Sequence, residues 1–378
     1  MGILSTILRC TAQGVVGIFL VQPVILIQDE GACNQRQTGR QHYYEYTLKG
    51  EGVETWHPRF SYYGFRYIQV EGAVLKGQKN PFRLPVIQKI QSCFVYNSAP
   101  KISTFECSNR IFNDAHRLIE KAVRSNMQSV FTDCPHREKL GWLEQDHLCG
   151  PGLLYNYDLT GFLPQTLQNI ADAQHANGAV PTTAPEYVVF EGPGMDAFAE
   201  SPEWGCTFVV LPFMYYETYG DDSLIRKYYN GMRRYIDYMT TRANDGIVSF
   251  GLGDWYDYGD FRAGFSRNTP VPLVATAHYY MVVRYLVEAA RMLDNRYDVA
   301  YYTHLGEEIN KAFHREFYHK DTRQYGTGSQ CSNALPLFLG MVPADDRQAV
   351  LDNLVADIKR HGNRLTTKRI KPYVIYCR

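Results

Sequence analysis

The chain has 378 residues, of which 45% are hydrophobic and 14% aromatic, and its 39 Lys and Arg balance its 39 Asp and Glu. This composition predicts a globular protein with a substantial core, long enough for two domains. The formal net charge of zero excludes a global basic field for nucleic acid, and no apolar run reaches the roughly 20 residues of a membrane span. The nine Cys are odd in number and form no C-x-x-C pair, so neither a disulfide framework nor a zinc site is expected.

Residues 1 to about 98 predict β-structure. The stretches 43–48 and 65–70 are rich in aromatic and β-branched residues, and Gly and Pro clusters bound them. They indicate a partial antiparallel β-sandwich, with too few strands to close on itself. Residues 1–28 are atypical of that domain. Their apolar stretch 14–27 is as consistent with a pair of buried strands as with an interrupted export signal.

From Ser108 onward the apolar residues recur with the period of a helix. Ser108 is the predicted cap of a first helix whose apolar stripe contains Ile111, Phe112, Ala115, Leu118, Ile119, Ala122 and Val123. Further helices are predicted near 160–177, 204–219, 222–242, 274–293, 298–317 and 346–361, so that residues 99–378 form a helical domain. Long loops at 180–204, 251–269 and 324–335 hold the unusual residues, and in such arrays function is carried by loops.

The most informative segment is TDCPHREKLGWLEQD at residues 132–146. It holds four carboxylates (Asp133, Glu138, Glu144 and Asp146) together with Arg137, His136 and Trp142. Pro135 and Gly141 interrupt any continuous helix there. Acids on a loop beside a Trp suit a sugar-cleaving site, because one carboxyl can protonate the leaving oxygen and an aromatic face can cover the sugar ring.

Two later loops repeat this combination of an acid and an aromatic residue. Glu203 and Trp204 are adjacent in one loop, and Asp254 and Trp255 are adjacent on a Gly-rich turn. Each pair alone could be a structural turn. Three instances in one helical array predict a carbohydrate-binding cleft.

The first segment resembles the signature of the α-L-rhamnosidases of glycoside hydrolase family 78. SPEW at 201–204 and GDW at 253–255 resemble later motifs of that family, in the expected order. FSYYGFRYIQVEG at 60–72 is similar to the end of the β-sandwich that precedes the catalytic barrel there. The resemblance covers roughly residues 29–367. It implies an (α/α)6 barrel that removes terminal α-L-rhamnose from glycosides by inversion. No metal cluster is visible in the sequence, so no cofactor or metal is expected.

The resemblance also implies roles for individual residues. Glu138 matches the general acid, and Asp133 matches an acid that binds sugar hydroxyls. Arg137 is expected in the pocket wall, and Trp255 matches a pocket aromatic. The next family carboxylate aligns with Gln145, so Glu144 or Asp146 would take its place. Trp142, Glu203, Trp204 and Asp254 complete the predicted substrate-binding set.

The pattern breaks at both ends. Residues 368–378 are basic and have no helical period, which together with residues 1–28 suggests a rhamnosidase fragment. The family's general base would be expected beyond residue 378. A barrel without its last helices exposes apolar faces, which predicts a marginal fold, weak or no hydrolysis and possible self-association.

Other interpretations stay open from the sequence. One is an inactive carbohydrate-binding chain that lacks the general base, unless Glu203 or Asp257 replaces it. Another is a hydrolase or lyase acting on a different sugar, with Arg137, Arg262 and Arg267 holding a uronate. A helical-repeat scaffold is disfavoured because no fixed period of about 34–47 residues is present.

Overall fold

The structure, a computed structural model, describes residues 3–11, 18–24, 26–27, 33–34 and 43–366. The chain divides into two compact units, Met1–Gly141 and Trp142–Arg378. The domain boundary predicted near residue 98 follows the change from strand to helix pattern, whereas this division places the first long helix with the strands. The atypical segment 368–378 lies outside the described residues.

The first unit contains ten strands among its described residues. They are β1 (Ile3–Thr11), β2 (Ile18–Val24), β3 (Leu26–Ile27), β4 (Cys33–Asn34), β5 (Tyr44–Thr47), β6 (Val53–Trp56), β7 (Tyr63–Gly64), β8 (Tyr67–Glu71), β9 (Val74–Leu75) and β10 (Val86–Phe94). One sheet has the order β6-β1-β10-β9, with β7 also paired to β1, and a second has the order β5-β2-β8. β1 and β2 belong to the range that the sequence set apart as atypical, yet they pair within these sheets.

Pairing in the two sheets is antiparallel except between β9 and β10, which are parallel. A small apolar core is centred on Leu48 and Ile87, which are 1% and 2% exposed. Leu48 follows β5 in the smaller sheet, and Ile87 lies in β10 of the larger one. Trp56 stacks on Tyr46 with 5.3 Å between ring centroids. Side chains from both sheets therefore meet in one core, as in a sandwich.

α1 (Arg110–Asn126) is the predicted first helix. Its cap is Asn109, whose side chain accepts a hydrogen bond from the Ile111 backbone, so the prediction of Ser108 as the cap is wrong by one residue. Asn serves because its short side-chain oxygen reaches the free N–H groups of the first turn as well as Ser does. The apolar stripe is largely exposed, at 74% for Ile111 and 67% for Leu118. An exposed stripe of this kind favours association, and self-association stays a prediction.

The second unit is mainly helical. Its described helices are α2 (Glu144–Leu148), α3 (Gly150–Asn156), α4 (Phe162–Ala173), α5 (Asp196–Ala199), α6 (Pro202–Gly205), α7 (Thr207–Tyr219), α8 (Ser223–Arg242), α9 (Val271–Met292), α10 (Arg296–Phe317), α11 (Gln330–Phe338) and α12 (Ala344–Arg360). The long ones confirm the predicted stretches. The short helices α2 and α3 were not predicted, and α11 occupies part of the loop predicted at 324–335. These helices have five to nine residues, which is too short for a helical repeat of apolar residues to be recognised.

α9 is the central helix of the second unit. It contacts α6, α7, α8, α10 and α11, and most of its side chains are buried. A helix that is apolar on nearly all sides is stable only when other helices surround it. Two hairpins, β11 (Asp257–Gly259) with β12 (Phe261–Gly264) and β13 (Tyr318–His319) with β14 (Gln324–Tyr325), interrupt the helical array. The loop before α9 carries Asp254 and Trp255.

Candidate active site

The predicted site residues divide between the two units. Asp133, Arg137 and Glu138 belong to the first unit. The second unit contains Trp142, Glu144, Asp146, Glu203, Trp204, Asp254 and Trp255. The segment 132–146, which the sequence presents as one motif, is thus divided after Gly141.

The motif loop, residues 133–140, is closed by its own ends. The Asp133 backbone N–H donates to the Leu140 carbonyl at 3.2 Å, and the Leu140 N–H donates to Asp133 Oδ1 at 3.1 Å. Between them the Glu138 N–H donates to Cys134 Sγ at 3.2 Å. Lys139 adopts a φ of 55°, which turns the chain back. One oxygen of Asp133 therefore shapes the loop that carries Glu138.

Glu138 and Arg137 lie at the exposed tip of this loop, with 41% and 59% of their side chains accessible. They form an ion pair in which Nη2 of Arg137 is 3.7 Å from Glu138 Oε1. That distance in an exposed pair contributes little to stability. The carboxyl is accessible to a leaving-group oxygen, which a general acid requires.

The motif loop is also anchored to the end of the β-structure of the same unit. Lys139 Nζ donates to the Tyr62 carbonyl at 2.9 Å and lies 4.3 Å from the ring centroid of Tyr63. Gly64 donates to the Pro135 carbonyl at 3.0 Å. Burial lowers the pKa of Lys139. These contacts join the segment FSYYGFRYIQVEG to the motif loop within the first unit.

Six aromatic side chains of the second unit form one connected group, called here the aromatic cluster: Trp142, Phe190, Phe198, Trp204, Trp255 and Phe265. Phe198 lies at its centre, with ring centroids 5.5 Å from Trp255, 5.6 Å from Phe265 and 6.4 Å from Trp142. Trp142 is also 6.4 Å from Trp204. Trp142 and Trp255 are only partly buried, whereas Trp204 is 3% exposed. The partly exposed Trp rings can cover the apolar face of a sugar, while Trp204 packs against Trp142.

The sequence did not identify Phe190, Phe198 and Phe265 as site residues. All three lie in the long loops predicted at 180–204 and 251–269, and an aromatic count along those loops is the signal that could have found them. Thr182 fixes this region. Its hydroxyl donates to the Phe198 carbonyl, and its own carbonyl accepts from Leu143 N–H at 2.9 Å.

Three predicted or alternative acids of the second unit are fully buried. Glu203, Asp254 and Asp257 are each 0% exposed. Glu203 accepts hydrogen bonds from Ser201 and Gly253, and Asp254 accepts one from Thr269 at 3.3 Å.

Asp257 accepts from the backbone N–H groups of Arg267 and Asn268 and from the Asn268 amide. It therefore holds the chain that returns from the β11–β12 hairpin. Because Glu203 and Asp257 are buried and hydrogen-bonded through both oxygens, the geometry does not favour either as a substitute base that activates water.

Glu144 and Asp146 lie on the short helix α2 and are 9% and 4% exposed. Burial raises the pKa of Asp146 well above its ordinary value. His147, on the same helix, is 2.7 Å from Thr207 Oγ1 through Nδ1, and Thr207 donates to the Leu143 carbonyl at 2.8 Å. α2 is thus joined to the start of α7. Whether Glu144 or Asp146 binds sugar stays a prediction.

The Asp146→Asn variant should become more stable than the unmutated chain as the pH rises. Below the ordinary pKa of Asp, about 3.9, both the folded and the unfolded chain keep the Asp146 proton. Above it the unfolded chain loses the proton while the folded chain retains it, so the free energy of unfolding falls until the raised pKa is reached. Asn does not titrate. The Tm difference between variant and unmutated chain should therefore be larger at pH 7 than at pH 4.

Asp172→Asn is the matched control for the change from Asp to Asn, because Asp172 is exposed on α4. An Asp146→Asn offset that is independent of pH would show that the Asp146 carboxyl is not held neutral in the folded chain.

The described residues contain no group of three or more His, Cys, Asp or Glu that could hold a metal ion. In the same part of the chain, no helix is both long enough and apolar enough to cross a membrane.

Comparison with known proteins identifies two family domains. Residues 100–370 match the bacterial α-L-rhamnosidase 6 hairpin glycosidase domain, and residues 21–96 match the bacterial α-L-rhamnosidase concanavalin-like domain. Among curated proteins, an α-L-rhamnosidase of Formosa agariphila is 29% identical over 88% of this chain and 36% of its own length. An α-L-rhamnosidase of Streptomyces avermitilis is 31% identical over 85% of this chain and 29% of its own. The chain thus spans about a third of the length of these relatives.

Solved structures give the same result. The α-L-rhamnosidase from Dictyoglumus thermophilum aligns with a TM-score of 0.82 and 28% identity, over 100% of this chain and 41% of that one. The Streptomyces avermitilis α-L-rhamnosidase complexed with L-rhamnose aligns with a TM-score of 0.77 and 28% identity, over 97% and 33%. The expected mainly helical fold of the six-hairpin type, preceded by a β-domain, is confirmed. The chain belongs to the bacterial α-L-rhamnosidase family.

Proposed function

We propose that this chain carries the sugar-binding and acid-donating part of an enzyme that hydrolyses terminal α-L-rhamnosides with inversion. The aromatic cluster is the observation that carries the proposal. It presents two partly exposed Trp rings, Trp142 and Trp255, among supporting Phe and Trp side chains. Rhamnose is a 6-deoxy sugar, so its methyl group and ring C–H bonds offer an apolar surface that an aromatic wall can cover.

Polar recognition would come from Glu144, which follows Trp142 after one residue and is 9% exposed. Asp254, which precedes Trp255, is 0% exposed and accepts a hydrogen bond from Thr269, and it is not proposed to contact the sugar. Carboxylates accept hydrogen bonds from sugar hydroxyls, and a largely buried carboxylate does so without competing water. A relative of known structure was solved with L-rhamnose bound, which supports rhamnose as the sugar.

Glu138 is the proposed general acid. It lies on a closed loop whose backbone ends are joined through Asp133, and its carboxyl is exposed, as a general acid requires. In an inverting reaction the Glu138 proton passes to that oxygen as the bond to the anomeric carbon breaks. A water molecule, deprotonated by a separate base, attacks the opposite face. We propose that neither Glu203 nor Asp257 is this base, because both are buried and hydrogen-bonded through both oxygens.

The test is a ¹H NMR time course of the hydrolysis of p-nitrophenyl α-L-rhamnoside. The expected result is rhamnose whose first-formed anomer is β, which then equilibrates with the α anomer. An initial α anomer would contradict inversion. Binding of L-rhamnose without any release would instead favour the inactive carbohydrate-binding interpretation, and the same chain offered p-nitrophenyl β-D-glucoside is the control for sugar specificity.

A further inference from the structure

The turn formed by residues 201–206, called here the platform turn, is buried and tightly folded. Ser201 is 2% exposed, and Glu203 and Cys206 are both 0% exposed. The Ser201 carbonyl accepts from the N–H groups of Trp204 and Gly205 at 3.0 and 2.9 Å. A side chain at Gly205 would meet the hydroxyl of Tyr235 on α8 at 2.5 Å. The platform turn therefore has little freedom to move.

In contrast to the platform turn, the glycine loop, residues 251–255, has a sequence that permits many backbone conformations. Gly251 and Gly253 have φ values of 122° and 65°, both in the region that glycine adopts readily. Glycines allow many backbone conformations, so this sequence does not by itself select one. Yet the loop ends in Asp254 and Trp255, and Trp255 is a proposed sugar-binding residue. Contacts from outside the loop must hold it in one conformation.

Two side chains of the platform turn make such contacts. Ser201 Oγ accepts from the Leu252 N–H at 2.8 Å and donates to Glu203 Oε2 at 2.5 Å. Glu203 Oε1 accepts from the Gly253 N–H at 3.1 Å. Consecutive N–H groups of the glycine loop are therefore bound by one linked pair of side chains. A buried pair of this kind is effective because an unpaired N–H there is unfavourable.

The fit between the two segments leaves no room for a side chain on Gly251. A Cβ there would lie 2.8 Å from Glu203 Oε2 and 2.9 Å from Ser201 Oγ. The absence of a side chain at 251 is thus what allows the loop to approach the Ser201–Glu203 pair.

We propose that Ser201 and Glu203 are positioning residues, which hold the glycine loop so that Trp255 is oriented for the sugar. The inference rests on the proposed function, since it assigns Trp255 to the rhamnose site. In this proposal Glu203 acts by binding the backbone of the glycine loop and not by contacting the substrate. It also places the SPEW and GDW motifs in one contact.

The experiment compares L-rhamnose binding, by calorimetry, in the unmutated chain and in Ser201→Ala, Glu203→Gln and Glu203→Ala. Ser201→Ala and Glu203→Ala should each weaken binding about tenfold, because each leaves a loop N–H without its partner. Glu203→Gln keeps an oxygen for Gly253 and should lose less than Glu203→Ala. Ser125→Ala is the matched control, since Ser125 is also 2% exposed but lies on α1. Circular dichroism checks that each variant is folded.

A double variant separates positioning from a direct or general structural role. In a Trp255→Ala background, Ser201→Ala should cause much less than its own tenfold loss, because part of what it orients is already gone. Full additivity of the two losses would overturn the inference. So would unchanged rhamnose affinity in Ser201→Ala and Glu203→Ala.

A second readout does not depend on sugar. The chain has four Trp, and subtracting the signal of a Trp255→Phe variant isolates acrylamide quenching of Trp255. Ser201→Ala should increase that quenching, and no increase would overturn the inference even if the chain failed to bind rhamnose. An unmutated chain that binds no rhamnose contradicts the proposed function alone.

Discussion

Glu138→Gln should lower kcat/KM for methyl α-L-rhamnoside, whose alkoxide leaving group needs a proton, by about 100- to 10,000-fold, the range that a general acid contributes. The amide has the size of the carboxyl but cannot donate a proton to the leaving oxygen. Affinity for L-rhamnose should stay close to that of the unmutated chain, because the aromatic cluster belongs to the other compact unit and is unaltered. Initial rates of L-rhamnose release from methyl α-L-rhamnoside measure the first effect, and calorimetry measures the second.

The fold should tolerate the change. The Glu138 side chain makes a 3.7 Å ion pair with Arg137 at an exposed site, whereas the contact that shapes the loop uses its backbone N–H. Glu106→Gln is the control, since Glu106 is exposed in the same unit and should leave the rate unchanged. A Glu138→Gln chain that hydrolyses the substrate at the unmutated rate would exclude Glu138 as the acid.

Trp255→Ala should weaken L-rhamnose binding at least about tenfold, which corresponds to about 1.4 kcal/mol. Trp255 is one of two partly exposed Trp rings of the aromatic cluster and contacts Phe198, Phe265 and Tyr256. Its removal takes away the sugar-facing ring and leaves Phe198 and Phe265 less well packed. Both effects reduce the apolar surface that the sugar can cover. The measurement is a calorimetric comparison with the unmutated chain.

Two further variants serve as controls for this prediction. Trp255→Phe keeps an aromatic face and should retain part of the affinity. Trp56→Phe alters the core of the first unit, where Trp56 stacks on Tyr46, and should leave rhamnose binding unchanged. If Trp255→Ala bound rhamnose as tightly as the unmutated chain, the aromatic cluster would not be the sugar site.

The helical array could be predicted because its long helices repeat apolar residues at the spacing of one face. α8 and α10 are found close to the predicted bounds. α2 and α3 could not be predicted, since five and seven residues contain at most two turns of the pattern. Ser108 and Asn109 are equally good cap residues, so capping propensity does not decide which of the two neighbours begins the helix.

The residue types of the site could be predicted, but not which of these residues are accessible to a sugar and which are buried to hold the loops. The combination of an acid and an adjacent aromatic residue identified Glu203 and Asp254 as candidates. Their neighbours Trp204 and Trp255 belong to the aromatic cluster. The complete burial of the two acids depends on packing between segments some 50 residues apart, such as Ser201 with Leu252. Phe198 at the centre of the cluster shows the same limit, because its role follows from which loops meet and not from its neighbours in sequence.

The most direct test of the account is the calorimetric titration of the unmutated chain with L-rhamnose, which also supplies the reference for the Trp255 comparison. We expect saturable binding of one sugar per chain, and weaker binding of D-glucose. Absence of rhamnose binding by a folded chain would contradict the claim that the aromatic cluster forms a rhamnose site.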